Sequence, residues 1–370
     1  MNKICLILGV IFVTLCLSGC SAKEKKVPLE DVGMVGTMAI DYIDNENLKL
    51  TVAIPQSSPD AKKNIQIFSV TTDLISKGIV DVEELSDKKV VLNQLRVVLI
   101  NEEFAQRGDI QKVIRHLYRN SDVGNKVLIA IVKENGEEML KEEYPDKPNV
   151  NFYLNDLLQP SINTAFNPNT NIHDFIYTQT NPVFDSIVPL LEKKEEKVEL
   201  GGIALFKEEH MLQSLPKYEA LVIQALQGRK KLAPLSLTLH ETGQNERLQL
   251  DLINNRVSMK SNKSFESPKL TINMEIRGAL VEYRGEREKE LKTPKGLTKL
   301  ENDINKQLEI DIKKFLEKLM ELQVDPIGLT ENFRMYYKGE WKKENTEEIL
   351  SKLRLDIHVE THILSTGTLK

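Results

Sequence analysis

Residues 270–276 read Leu270-Thr271-Ile272-Asn273-Met274-Glu275-Ile276, an alternation of apolar and polar side chains suited to an extended strand with one buried face. Two earlier stretches share the pattern: Leu235, Leu237 and Leu239, then Leu248, Leu250 and Leu252. Strands with one dry and one wetted face belong to antiparallel or mixed sheets, because the strands of a covered parallel sheet are apolar throughout. The period then changes. Leu297, Leu300, Ile304, Leu308, Ile312, Phe315, Leu319 and Leu322 recur at helical spacing. A helix over 297–322 would extend about 39 Å. Leu355, Ile357, Val359 and Ile363 return to period two and close the chain. Strands under a long covering helix predict an α+β fold with antiparallel or mixed sheets.

Upstream, the elements are shorter. Residues 33–42 and 48–54 predict two strands of a hairpin around the polar turn Asp44-Asn45-Glu46-Asn47. Strands are also expected at 65–71, 95–100 and 126–132. A helix is expected at 109–118, with Ile110, Val113, Ile114 and Leu117 on one side. Further helices are expected at 136–144 and 172–177, separated by the Asn- and Pro-rich segment 159–171. The charged run 192–199 (EKKEEKVE) suits a solvated hairpin tip before Gly201-Gly202-Ile203-Ala204-Leu205-Phe206. Tyr218, Leu221, Val222, Ala225 and Leu226 form a helical stripe that Gly228 can end. Asp325-Pro326 offers an N-cap and a first-turn proline, predicting a helix through Leu329 and Phe333. At 370 residues the chain exceeds what one core usually serves. Two to three mixed α/β domains are expected: an N-terminal α/β domain at 29–195 and a C-terminal α+β region at 196–370, itself divisible near 210–245.

The amino terminus predicts the compartment. Lys3 precedes an uncharged stretch, 4–17, too short to span a bilayer but suited to a signal peptide. It ends in Leu17-Ser18-Gly19-Cys20, small residues before a cysteine, as lipoprotein processing requires. Residues 1–19 would leave as the signal peptide. Cys20 would then carry an S-diacylglycerol and an N-acyl group, the lipid contact of the mature chain. Cys5 and Cys16 depart with the leader, so no disulfide framework remains. Residues 20–28 form a polar, basic tether that reaches roughly 25 Å when stretched. Two acyl chains hold a protein stably where one binds marginally. Lys plus Arg number 50 against 55 for Asp plus Glu, a net charge of −5 that argues against a nucleic-acid partner.

A search for chemistry returns no active site. The sequence lacks a Gly-x-Ser-x-Gly elbow, a phosphate loop, a dinucleotide fingerprint and a His-Glu-x-x-His motif. Of His116, His173, His210, His240, His358 and His362, only the last two are neighbours in sequence. On a strand they stand about 13 Å apart, too far to share a metal. Glu83-Glu84, Glu102-Glu103 and Glu208-Glu209 are adjacent pairs whose side chains diverge on any regular element. Trp341, near Tyr336 and Tyr337, is expected in a core or at its rim. No catalytic residue, cofactor or metal is expected.

The arrangement resembles the Ger(x)C family, the lipoprotein C subunits of nutrient germinant receptors of endospore-forming bacteria. The resemblance is carried by Leu17-Ser18-Gly19-Cys20, the hairpin strand ending in Ile40-Asp41, and Asn93-Gln94-Leu95-Arg96-Val97-Val98-Leu99-Ile100 before Glu102-Glu103-Phe104-Ala105. It continues in the segment from Gly201 to Phe206, in Asp325-Pro326-Ile327-Gly328-Leu329 and in the closing strand leading to Gly367. Many relatives carry Trp-Asp after the lipidated cysteine, where this chain has Ser21-Ala22. The resemblance implies three mixed α/β domains and a non-enzymatic subunit on the outer face of the spore inner membrane. It also implies integral-membrane A and B subunits as partners, in an assembly that responds to small nutrients. A lipid-anchored solute-binding protein that captures the nutrient itself is the alternative.

Overall fold

The computed structural model describes residues 27–56, 64–159, 166, 168–240 and 246–366. After a 3-10 turn at Leu29–Asp31 come β1 (Val32–Met34), β2 (Thr37–Tyr42), β3 (Leu48–Pro55), β4 (Ile65–Thr72), α1 (Ile75–Leu85), β5 (Lys89–Val91), β6 (Val97–Asn101), α2 (Glu102–Arg107) and α3 (Ile110–Arg119). Next are β7 (Leu128–Val132), α4 (Gly136–Lys141), α5 (Val150–Leu158), α6 (Ile172–Thr180), β8 (Ile187–Lys194), β9 (Lys197–Lys207), β10 (His210–Pro216) and α7 (Lys217–Leu226). The chain ends with β11 (Leu235–Leu239), β12 (Glu246–Ser261), β13 (Lys269–Arg284), α8 (Pro294–Glu321), α9 (Glu331–Arg334), α10 (Lys343–Lys352) and β14 (Arg354–Ser365).

The first sheet has eight strands in the order β10-β9-β8-β7-β6-β2-β3-β4. Its centre, β2, β6, β7 and β8, is parallel; the flanks are antiparallel. Central strands such as Val97–Asn101 and Leu128–Val132 are apolar on both faces because both faces are covered. On one face Met38, Ile40, Val98 and Ile100 meet α1, α3 and α6 through Val82, Ile114 and Phe175. On the other, Ala39, Leu99 and Ala130 meet α4 and α5 through Met139, Leu140 and Leu154. The strand expected at 33–42 is interrupted. β1 pairs in parallel with β5, Val35 N–H extends that pairing to the Val91 carbonyl (3.0 Å), and the chain then moves to β3 through Gly36 N–H to the Ala53 carbonyl (3.0 Å).

The second sheet runs β11-β12-β13-β14, antiparallel except for the parallel pair β13–β14. Its buried face packs under α7 and α8 through Leu237, Leu250, Ile272, Leu300, Ile304, Leu308 and Ile312, as the two periods require. α8 also covers the edge strand. The backbone N–H groups of Val359, Thr361 and Ile363 donate to Glu309 (2.9 Å), Asn305 (2.8 Å) and Glu301 (2.8 Å). Three side chains spaced four apart on a helix thus take the place of a neighbouring strand.

Several expectations are corrected. Leu252, expected inside with Leu248 and Leu250, is 76% exposed and left-handed (φ 52°). A register shift between Asp251 and Asn254 hands the inward place to buried Ile253. Pro326 does not start a helix: α9 begins at Glu331 and lasts one turn. The helical spacing does not predict α1 or α5: Gly78 interrupts the α1 stripe, and α5 is nine residues long. The charged run at 192–199 is the β8–β9 hairpin tip, with Lys194 opposite Lys197 and Glu195 at φ 53°. The expected division at 195/196 falls on this tip, and β9 and β10 stay in the first sheet. The change of sheet comes between Pro216 and Leu235.

The two sheets share one core at their junction, where Val183, Ile203, Leu205 and Leu215 pack with the α7 and α8 side chains. The loop after α8 closes this seam, and Gly328 in it has φ 85° with its missing Cβ directed into the Phe184 ring. Gly328→Ala is expected to lower stability by about 1–3 kcal/mol, the usual cost of a strained backbone or an overfilled contact. Gly124→Ala, in open space, is the control and should stay within about 0.5 kcal/mol. Thermal unfolding of the two variants checks this; equal melting temperatures would contradict it.

Candidate functional site

Cys20, the one site residue expected from sequence, lies outside the described residues, as do the leader and most of the tether. The described chain starts at Val27 and feeds β1 at the end of the first sheet where β2 and β6 begin; Arg96 N–H, just before β6, donates to the Gly36 carbonyl (2.9 Å). The opposite end of the sheet, past the carboxyl ends of β2, β6 and β7, is where an α/β sheet offers a ligand crevice. β2 is its switch point: β3 lies on one side and β6 on the other.

That crevice is filled by the chain's own side chains. Asp41, 2% exposed at the end of β2, accepts the N–H groups of Gly136 (2.6 Å) and Glu137 (3.0 Å) at the start of α4. Burial raises its pKa, and the two amides oppose that rise. Asn101 at the end of β6 accepts from Phe104 N–H (2.8 Å) and from Tyr42 N–H (3.1 Å). Asn135 and Asp109 cap α4 and α3 (3.2 and 2.8 Å). The partial positive charge of these helix starts, which could hold an anionic ligand, is thus spent internally.

On the α1–α3 side of the same end, a cleft of about 520 Å³ is lined by the β2–β3 turn, the start of α1, the α2–α3 junction and the β9–β10 turn. Sequence reasoning missed it because its residues come from four distant loops. Its aspartates serve local structure. Asp44 accepts from Glu46 and Asn47 N–H (both 2.8 Å), which lowers its pKa, and Asp73 pairs with Lys77 (2.9 Å). Ser76 Oγ lies 3.1 Å from His116 Nε2 at the surface. Among the described residues, no hydrogen bond places a carboxylate on the other nitrogen of that ring, so the pair lacks the third member of a hydrolytic triad.

The remaining candidates are dispersed. His210 starts β10, and His240 follows β11. Exposed His173 lies 3.5 Å from Asp174. On β14, His358 stands exposed beside Asp356 (3.2 Å), and His362 is half-buried beside Glu360 (3.3 Å). Glu83 and Glu84 are exposed on α1, while Glu102 and Glu103 sit in the first turn of α2, where the helix dipole favours acids. Glu208 and Glu209 form the β9–β10 turn. Among the described residues no group of three or more His, Cys, Asp or Glu side chains could hold a metal ion, and no helix is long and apolar enough to cross a membrane. Trp341 is buried at the seam. Its Nε1–H donates to Thr346 Oγ1 (2.9 Å), whose hydroxyl donates to the Pro182 carbonyl (2.7 Å).

Beside Asp41, Glu137 binds Lys49 (2.8 Å) and Lys141 (2.5 Å). Burial alone would raise its pKa, yet the lysines and the Ser69 hydroxyl hold it at about 2. A carboxylate with a depressed folded pKa stabilises the fold above its unfolded value near 4.5, and that contribution is lost as pH falls toward 2. Glu137→Gln is expected to cost about 2–3 kcal/mol near neutrality and to flatten stability between about pH 4.5 and 2. Denaturant titrations across that range check it; an unchanged acid slope would contradict the assignment.

Residues 25–193 match a family model described as spore germination protein, N-terminal domain, and residues 201–367 one described as spore germination B3/GerAC like, C-terminal. The chain is 27% identical to spore germination protein GerQC of Bacillus cereus, across 96% of this chain and 97% of that one. It is 21% identical to spore germination protein B3 of Bacillus subtilis (strain 168), across 97% of each. The crystal structure of the GerBC protein superposes with a TM-score of 0.57 at 16% identity, over 88% of this chain and 96% of that one, and so shares its fold. With one family model on either side of the β8–β9 tip, the chain belongs to the GerAC family of spore germination proteins.

Proposed function

We propose that this chain is the lipid-anchored subunit of a spore nutrient germinant receptor, held on the outer face of the spore inner membrane through Cys20. It acts there beside integral-membrane A and B subunits and performs recognition rather than catalysis. The observation that carries this reading is the order along the chain: Leu17-Ser18-Gly19-Cys20, a short basic tether, then two consecutive germination-protein domains. The tether of about 25 Å confines the body to a thin layer beside the bilayer and raises its effective concentration toward membrane-embedded partners. The helix starts satisfied by Asp41, Asn101, Asn135 and Asp109 support a docking scaffold. Cys20→Ala is expected to preserve the fold while releasing most of the protein from membranes and slowing nutrient-triggered germination several-fold. Membrane fractionation and germination assays on that strain check it. Full membrane retention with normal germination would contradict it.

The 520 Å³ cleft supports a second reading, in which this body captures the nutrient itself. Titration calorimetry against amino acids, sugars and nucleosides separates the two. Saturable micromolar binding would favour capture; the docking reading expects no heat.

A further inference from the structure

Four strands edge the two large sheets, and three are blunted. β14 has the outward N–H groups of Val359, Thr361 and Ile363 taken by Glu309, Asn305 and Glu301 of α8. β10 carries a register shift between Met211 and Gln213 and ends at Pro216. β11 is five residues long. β4, reading IQIFSVTT, has none of these devices: eight residues, no charge, no proline, and an unbroken register against β3 from Ile65 to Thr72. A long, regular, uncharged edge is the kind that pairs with another strand.

The register fixes which groups are open. Gln56 N–H donates to the Asn64 carbonyl (2.9 Å), so even-numbered residues of β4 bond to β3. The N–H and C=O groups of Ile65, Ile67, Ser69 and Thr71 therefore point away from the sheet. None of these backbone groups has a hydrogen-bond partner among the described residues.

We propose that β4 is a homodimerisation edge, where two copies of this chain pair antiparallel across a two-fold axis and join their eight-stranded sheets. Centring the axis on Phe68 sets Ile65 opposite the partner's Thr71 and Ile67 opposite the partner's Ser69. All four outward residues are then satisfied in about eight hydrogen bonds. Phe68 faces the partner's Phe68 at a non-hydrogen-bonded position, where cross-strand aromatic side chains meet. An uncharged strand is its own complement, since self-pairing sets no like charges opposite one another; an edge built for a charged partner would carry the opposite sign. The inference rests on the sheet register alone and is independent of the receptor reading.

Sedimentation of the full chain in mild detergent, over a concentration series, tests it. A dimer is expected to form as concentration rises. Ile67→Pro, which removes an outward N–H and no internal bond, should weaken it at least tenfold with the far-ultraviolet circular dichroism unchanged. Monomer mass throughout, or a dimer undiminished in folded Ile67→Pro, would overturn the proposal. Should that variant fail to fold, amide exchange in the unaltered chain decides. Amides 65, 67, 69 and 71 slowing with concentration, beside even-numbered amides protected throughout, supports the edge. Fast exchange of the odd-numbered set at every concentration overturns it.

Discussion

The joint between the two sheets depends on a carboxylate with almost no access to water. Asp325, 1% exposed, accepts four donors: the N–H groups of Gly328 (2.7 Å), Leu329 (2.8 Å) and Thr330 (2.8 Å), and the Thr330 hydroxyl (2.8 Å). Burial pushes its pKa upward, but only the ionised form can accept all four at once. Its own N–H donates to Asp185 (2.7 Å), just ahead of β8, and Lys343 of α10 neutralises Asp185 (2.6 Å). The loop after α8, the approach to β8 and the start of α10 thus meet at one charged, fully bonded node. Removing Lys343 would leave the buried Asp185 carboxylate unpaired, which commonly costs about 3–5 kcal/mol.

Around that node the apolar packing is continuous. Leu205 and Leu215 of the first sheet, α7, and Ile304 to Leu319 of α8 belong to one buried cluster. The two sheets therefore share one buried core and are not lobes on either side of an open cleft. A protein that closes on a nutrient needs a cleft whose walls separate; a docking subunit needs a fixed surface. The seam favours the latter, and so does the use of Asp41, Asn101, Asn135 and Asp109 to cap helices at the crevice where a ligand would otherwise bind.

Much of this was legible in the residues. Period two at 235–239 and 270–276 and period 3.6 at 297–322 gave the second sheet and its helix, since each strand has one wetted face. The apolar runs of β6 and β7 marked strands but not their neighbours, because a strand covered on both faces carries no face signal. Leu252 was misplaced because a bulge shifts the alternation by one, and nothing in the residue types announces the shift. Asp325 was recognised as a cap, yet the turn it closes at Gly328–Thr330 depends on donors and on Asp185, 140 positions away in sequence. The cleft and the open edge of β4 were hidden for a similar reason: both are properties of what packs beside them.

The proposed receptor role requires attachment of the body to the membrane through Cys20. Mass spectrometry of the amino-terminal peptide from spore membranes measures this directly. The expected result is a chain that begins at Cys20 and carries diacylglyceryl and acyl mass. A free Cys20 thiol, or a chain that keeps residues 1–19, would contradict it.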